Sequence, residues 1–215
     1  MDRCWHCLLR GYPGDHKHYS YLIALQIKKK LQRRIKRLKE EKIIVVMGVT
    51  GCGKSSVARE LANQLGTAFV DADDYHPKTN IEKMSDGIPL TDIDRWPWLN
   101  AVSTVLNNEV ASNQIVVSAC SMLRRAYRDH LIEKTNAPVV FIYLSGTRDT
   151  IAARMSQRQN HFMPMTLLES QFQILEPPDP DESAIQIDIK SSITEITQII
   201  RDQIDVSDLT KTHDE

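Results

Sequence analysis

The feature that most restricts how this chain can fold is a short one. Ile43–Met47 is an unbroken apolar run, and it leads directly into Gly48-Val49-Thr50-Gly51-Cys52-Gly53-Lys54-Ser55. That octapeptide fits the pattern G-x-x-x-x-G-K-[ST]. An apolar run with no polar face reads as a strand buried on both sides. The residues from Lys54 to about 65 read as a helix closed by Gly66. In a strand, turn and helix of this order the glycines let the backbone curl, so that successive N–H groups converge on one point. The helix adds its unpaired N–H groups and the positive end of its dipole. Such a nest grips phosphate. Gly48, Val49, Thr50, Gly51, Cys52, Gly53, Lys54, Ser55 and Ser56 are the expected nucleotide contacts. Lys54 is suited to the β- and γ-phosphates, and the Ser55 hydroxyl is suited to Mg²⁺. The loop marks a user of a nucleoside triphosphate without naming what receives the phosphate.

The rest of the chain repeats one rhythm. Further strand candidates are Ala68–Val70, Ile115–Ser118, Val139–Leu144 and Ala184–Ile189, with helical stretches near 95–110, 121–134, 147–158 and 191–204. Alternation of this kind predicts right-handed βαβ units, hence a three-layer α/β sandwich of the P-loop NTPase type around a parallel five-stranded sheet. Pro177, Pro178 and Pro180 mark a loop before the last strand.

Charge divides the chain. Residues 1–42 hold 12 Lys/Arg against 4 Asp/Glu, whereas residues 43–215 hold 15 against 24. Within the basic part, Ile27, Leu31, Ile35 and Leu38 recur at helical spacing, so 21–42 reads as a basic helix. We therefore expect an appended basic, partly helical segment over 1–42, a folded domain over 43–205 and a polar tail over 206–215. The acidic domain argues against broad nucleic-acid binding by the core. No apolar run approaches the roughly 18 residues of a membrane span. The four cysteines, one of them inside the loop, suit a reducing compartment, so a cytoplasmic location is expected. Cys4-Trp5-His6-Cys7 is a single C-x-x-C without a second pair, too few ligands for structural zinc.

Phe69-Val70-Asp71-Ala72-Asp73-Asp74 places acids at the carboxyl end of a strand, where open α/β sheets bind ligands. Strand alternation would send Asp71 and Asp73 to one side. One can join the Mg²⁺ shell while the other orients or deprotonates an acceptor hydroxyl. With Ser55, Asp71 is the metal candidate and Asp73 the catalytic one; spacing alone leaves the two roles exchangeable. Asp74 could serve as a helix N-cap.

Several later blocks carry a resemblance. Asp73-Asp74-Tyr75-His76-Pro77, Asn80-Ile81-Glu82-Lys83-Met84, Gly87-Ile88-Pro89-Leu90-Thr91-Asp92 and Asp94-Arg95-Trp96-Pro97-Trp98-Leu99 closely resemble the gluconokinase family, as do Cys120-Ser121, Tyr127-Arg128-Asp129, His161-Phe162-Met163-Pro164, Gln171-Phe172 and Leu175-Glu176-Pro177-Pro178. The resemblance runs over about 43–205 and leaves 1–42 outside. It implies a small P-loop kinase fold related to shikimate and nucleoside monophosphate kinases. It implies transfer of the ATP γ-phosphoryl group to the 6-hydroxyl of D-gluconate, feeding the pentose phosphate route, and a homodimer. The alternatives are a kinase for another small acceptor, such as shikimate or a nucleoside monophosphate, or a non-catalytic nucleotide-binding module.

Gluconate is a polyhydroxylated carboxylate, so its site needs cations and hydrogen-bonding groups. Arg95, Arg124 and Arg128 are the candidate cations, because guanidinium pairs bidentately with carboxylate or phosphate. Arg124 and Arg128 are four apart in an expected helix and would share a face. His76 and Lys83 could add contacts. Trp96 and Trp98 are expected to pack a lid over the acceptor. Residues 154–172 read as that lid, with Arg158, and less strongly Arg154, neutralising charge on the transferring group while water is excluded. His161 is a lid cap or an acceptor contact. The catalytic candidates are thus Lys54, Asp73, Arg124 and Arg158; the substrate candidates are Asp73, His76, Arg95, Arg124, Arg128 and His161. The sequence departs from the family pattern in four places: Arg124 for Lys, Ala72 for Gly, Gln159-Asn160 for Lys-Gly, and Cys52 for a small hydroxyl residue. A thiol at a helix N-terminus is expected to be either acidified and oxidation-sensitive, or simply a small side chain turned away.

Overall fold

A computed structural model describes residues 41–156 and 165–204. The expected helix over 21–42, the polar tail, Arg158 and His161 lie outside the described residues, apart from the end of that helix. There, Glu41 is in neither helix nor strand and Lys42 already begins a strand, so the helical expectation does not hold to residue 42.

The elements run in the order β1 (Lys42–Met47), α1 (Lys54–Leu65), β2 (Ala68–Asp71), a 3-10 turn (Ala72–Tyr75), α2 (Lys78–Ser85), α3 (Asp92–Asn113), β3 (Ile115–Ala119), α4 (Arg125–Lys134), β4 (Val139–Ser145), α5 (Arg148–Ser156), α6 (Met165–Ile174), β5 (Ala184–Asp188) and α7 (Ile193–Gln203). The five strands form one sheet in the order β2-β3-β1-β4-β5, and every pairing is parallel. β1 lies at the centre, with Ile44 opposite Val117 of β3 on one side and Val140 of β4 on the other.

Ile43 through Met47 are each 0 % exposed, and successive side chains enter opposite layers. Ile44 and Val46 pack with Val57 and Leu61 of α1 and Ile196 and Ile200 of α7. Ile43, Val45 and Met47 pack with Leu99, Val102 and Leu106 of α3 and Leu131 of α4. Each such side chain contributes about 1.5–3 kcal/mol by leaving water. These two layers are what hold the end of β1, and the loop that follows it, in place.

Element ends differ from the sequence reading for local reasons. α3 begins at Asp92 rather than near 95, because the Asp94 carboxylate accepts from the Thr91 N–H at 2.9 Å and the Thr91 hydroxyl at 2.7 Å. α4 begins at Arg125 rather than 121. Cys120 N–H still bonds Val46 O at 3.1 Å, Met122 has φ 43°, and Arg124 is extended, so the chain leaves β3 as an irregular segment. The α4 N-terminus is capped from afar, the Glu176 carboxylate accepting from Arg125 N–H at 2.7 Å. Helices α2 and α6 were not expected from the sequence. Among the described residues no helix is long and apolar enough to cross a membrane.

Arg128 corrects a sequence expectation. Arg124 precedes α4 with extended backbone while Arg128 lies within it, so the two do not share a helical face. Arg128 is 0 % exposed. Its Nε and Nη2 donate to the Glu182 carboxylate at 2.5 and 2.7 Å, and Nη1 donates to the carbonyls of Met122 and Glu176 at 3.1 and 3.0 Å. It ties α4 to the proline loop before β5 and has no bidentate face left for a substrate. Breaking such a pair strands a charge: Arg128→Met should lower unfolding free energy by about 3–5 kcal/mol in urea titration, with most of the loss restored by adding Glu182→Leu. Arg128 holds the Glu182 carboxyl below its ordinary value. The stabilisation is therefore present above the ordinary glutamate pKa and lost as pH falls through the lowered one, so the wild-type and doubly substituted proteins should converge in stability at acid pH.

Candidate active site

The loop leaves β1 at the carboxyl edge of the sheet. Gly48 N–H donates to Ser121 O at 3.2 Å, which fixes its first residue against the segment after β3. Gly48 has φ 138°, and a Cβ there would lie 2.9 Å from both Cys52 Sγ and Leu144 O. Gly53 has φ 105° and immediately precedes α1. Only glycine meets both demands without strain. Lys54 Nζ donates back to Val49 O at 3.1 Å, closing the curl. Thr50 N–H donates to Gln171 Oε1 of α6 at 2.6 Å, so an oxygen atom already sits where the loop presents an amide.

Cys52 belongs to the packing of this loop. It is buried, and burial pushes its thiol up, with the Lys54 ammonium opposing. The small-side-chain expectation therefore holds and the acidified-thiol one does not. Cys120 is likewise buried, and burial raises it as well.

Two hollows share the loop. One, of 410 Å³, is lined by Gly51, Gly53, Ser56, Arg154, Ser192 and Ile193. Arg154, a weaker lid candidate, lies here and donates to Ile189 O. The other, of 80 Å³, is lined by polar groups from four elements, among them Lys54, Asp73, His76, Arg95, Ser170 and Gln171, with Met84, Pro89, Leu90 and Leu167 as its apolar wall.

Asp73 is in the 3-10 turn rather than on β2, so strand alternation does not govern it. The turn is capped by Asp71, whose Oδ1 accepts from Asp73 N–H at 3.3 Å; Asp71, not Asp74, is the cap. The Asp73 side chain is 72 % exposed, at the open side of a concavity. Crowding by the surrounding protein pushes its carboxyl up, Lys54 opposes, and Asp71 and Asp74 add to the rise. Water on the open side limits these effects.

His76 has its side chain 4 % exposed and is stacked on Trp98, with ring centroids 4.2 Å apart and planes 15° apart. Trp98 in turn donates Nε1–H to Ala72 O at 2.7 Å, so it is a buried support beneath the site rather than a packing surface for a lid. Burial lowers the His76 pKa to about 4, with Arg95 adding to the effect, so the ring is neutral at physiological pH. Arg95 is 8 % exposed, and its Nε has no hydrogen-bond partner among the described residues. Its guanidinium carbon lies 5.5 Å from the Tyr127 ring centre. A buried cation without a carboxylate partner is costly unless an anion is delivered to it.

Other expected residues go elsewhere. Arg124 pairs with Asp92 at 2.8 Å and Glu176 at 3.5 Å, and it is absent from the wall of either hollow. Asp92 also accepts from Tyr127 O–H at 2.6 Å, so Arg124 belongs to a network that joins α3, α4 and the proline loop. Lys83 is held by Asp94 at 2.6 Å. Trp96 packs edge-on to Tyr127. Among the described residues no cluster of three or more His, Cys, Asp or Glu could hold a metal by itself. Gln171 and Asn80 were missed as site residues. Gln171 carried a signal, a polar side chain in a stretch that also holds Leu167, Leu168 and Phe172; a buried asparagine leaves none.

The region of the chain that carries these residues is similar to known proteins. The family model described as shikimate kinase matches residues 50–198. A probable gluconokinase of Mus musculus is 44 % identical over 178 residues, covering 75 % of this chain and 97 % of the mouse protein. The thermosensitive gluconokinase of Escherichia coli strain K12 is 42 % identical over 161 residues, covering 74 % of this chain and 86 % of that one. The crystal structure of a gluconokinase from Sinorhizobium meliloti 1021 superposes with TM-score 0.67 at 44 % identity, over 73 % of this chain and 87 % of that one.

The burial of both thiols has a direct chemical consequence. Iodoacetamide at mildly alkaline pH, followed by peptide mapping, should leave Cys52 and Cys120 unmodified in the native protein and label both in urea.

Proposed function

The chain belongs to the gluconokinase family, and from that membership and the chemistry of the cleft we propose that it transfers the γ-phosphoryl group of ATP to the 6-hydroxyl of D-gluconate. The observation that carries the acceptor is Arg95. Arg95 borders the hollow that also holds Lys54 and Asp73, and its buried Nε has no hydrogen-bond partner among the described residues. A cation so placed suits an anionic acceptor, and the polar groups around it suit hydroxyls. A neutral sugar would leave Arg95 without a counter-charge.

The reaction moves one bond. The hydroxyl oxygen attacks the γ-phosphorus, the bond to the β-phosphate bridging oxygen breaks, and ADP leaves with that electron pair. The hydroxyl proton passes to Asp73, whose raised pKa brings it nearer to the working pH. Lys54 and the loop amides hold charge on the phosphates, and Arg154 supports the nucleotide side. Arg95 binds the carboxylate and His76 a hydroxyl. Ser55, at the first turn of α1, and Asp71, at the end of β2, are the oxygen donors that would hold Mg²⁺, whose shell takes few protein oxygens and is completed by phosphates and water. When bound, Mg²⁺ would neutralise phosphate charge. Arg158 and His161 are proposed lid groups on the strength of the resemblance. The guanidinium groups of Arg124 and Arg128 are engaged by carboxylates of the chain itself, so neither the substrate contacts expected of both nor the catalytic role expected of Arg124 is part of this reading.

ADP release with purified protein should be stimulated by D-gluconate and not by glucose, shikimate or a nucleoside monophosphate; no stimulation by gluconate would remove the reading. Lys54→Ala should lower kcat by about a hundredfold or more. Arg95→Leu should raise KM for gluconate about ten- to a hundredfold, with KM for ATP little changed. Asp73→Asn should cut kcat by about 10²–10⁴. The wild-type rate should fall on the acid side at a pH above that of an ordinary aspartate, and that limb should vanish in Asp73→Asn.

A further inference from the structure

Asn80 is 2 % exposed, a buried amide on α2. Its Nδ2 donates to Asp94 O at 2.9 Å. A carbonyl accepts only, so the amide cannot be turned the other way without setting two oxygens against each other. Nδ2 also lies 3.4 Å from His76 Nδ1. An amide nitrogen donates only, so a hydrogen bond here needs a lone pair on Nδ1, which would put the proton of the neutral ring on Nε2. Asp94, which supplies the anchoring carbonyl, is itself fixed by Thr91 and Lys83. The ring plane is fixed by stacking on Trp98. His76 Nε2 lies 3.9 Å from Asp73 Oδ1, too far for a direct bond and close enough for one hydroxyl to touch both. The charged groups that face the ring are Asp73 from the 3-10 turn, Arg95 from α3 and Lys54 from the phosphate loop.

We propose that Asn80 is a positioning residue that locks His76 as the Nε2–H tautomer, making the imidazole an obligatory hydrogen-bond donor to a substrate hydroxyl whose own proton points at Asp73. The substrate half of this inference rests on the gluconate reading above, whereas the tautomer half does not. Because Nδ1 is occupied, the ring cannot exchange donor for acceptor at the cleft. The site then selects, at this point, a group that both accepts and donates. A hydroxyl does so; a C–H, as in a deoxy analogue, does neither. The same arrangement orders the hydroxyl: one lone pair is held by His76, the proton faces Asp73, and the other lone pair stays available.

The test is a long-range proton–nitrogen correlation spectrum of the full chain carrying ¹⁵N-histidine, recorded without substrates between pH 6 and 8. The His76 signals are assigned by their loss in His76→Gln. The expected result is a neutral ring protonated at Nε2 throughout that range. A ring protonated at Nδ1, or one that titrates near the ordinary value of about 6.5, overturns the proposal. Asn80→Asp offers His76 an acceptor in place of a donor. It should move the ring proton to Nδ1 and raise KM for gluconate about tenfold, with KM for ATP unchanged. Retention of the Nε2–H form, or equal effects on both substrates, overturns the proposal as well. Should Asn80→Asp fail to fold, the wild-type spectrum decides alone. That spectrum needs no turnover, so a protein inactive on gluconate would lose the reading above while the tautomer result stood.

Discussion

The site depends on one strand being immovable. β1 is hydrogen-bonded on both edges, to β3 and β4, and buried on both faces. Its last residue, Met47, therefore delivers the phosphate loop to a fixed point at the carboxyl edge of the sheet. Gly48 then ties back to Ser121 after β3, and the Cys52 side chain fills the space beneath. An exposed or edge strand carrying the same glycines would offer the same amides with no fixed direction, and a nest without direction binds phosphate poorly.

How the charges are spent separates scaffold from site. Arg128, Arg124 and Arg125 are all answered by carboxylates of the chain: Glu182, then Asp92 and Glu176, then Asp179 and Asp181. These pairs fasten α4 and the residue before it to the loop before β5 and to the start of α3. Arg95 is just as basic and nearly as buried as Arg128, yet its Nε is unanswered and the residue lines a hollow. The difference lies in what surrounds each guanidinium, not in the residue type.

That difference also marks where the sequence was readable. Ile43–Met47 and the glycine pattern announce β1, the loop and α1, because a doubly buried strand and a phosphate nest each demand a composition that little else uses. β3 and β4 show through for the same reason, whereas β2 and β5 are only partly buried and show as short apolar runs within the alternation. Helices α2 and α6 did not show through: they are only eight and ten residues long, and α6 falls within the stretch read as a lid. The α3 start was hidden because its signal is a side chain, Asp94, reaching back to Thr91. Among the site residues, Lys54, Asp73, His76 and Arg95 were legible and do border one hollow. Arg128 was misread, since its partner Glu182 lies 54 positions away and spacing cannot show it. Asn80 was passed over for a related reason: its importance comes from two neighbours, His76 and the Asp94 carbonyl, that only the folded chain brings to it.

Gln171 stands on the wall of the hollow that also holds Asp73 and yet takes the N–H of Thr50 from the phosphate loop. One amide is thereby claimed from two directions. On the function proposed above, a phosphate oxygen and this carboxamide would compete for the same amide, which makes one side chain of α6 common to both reactants.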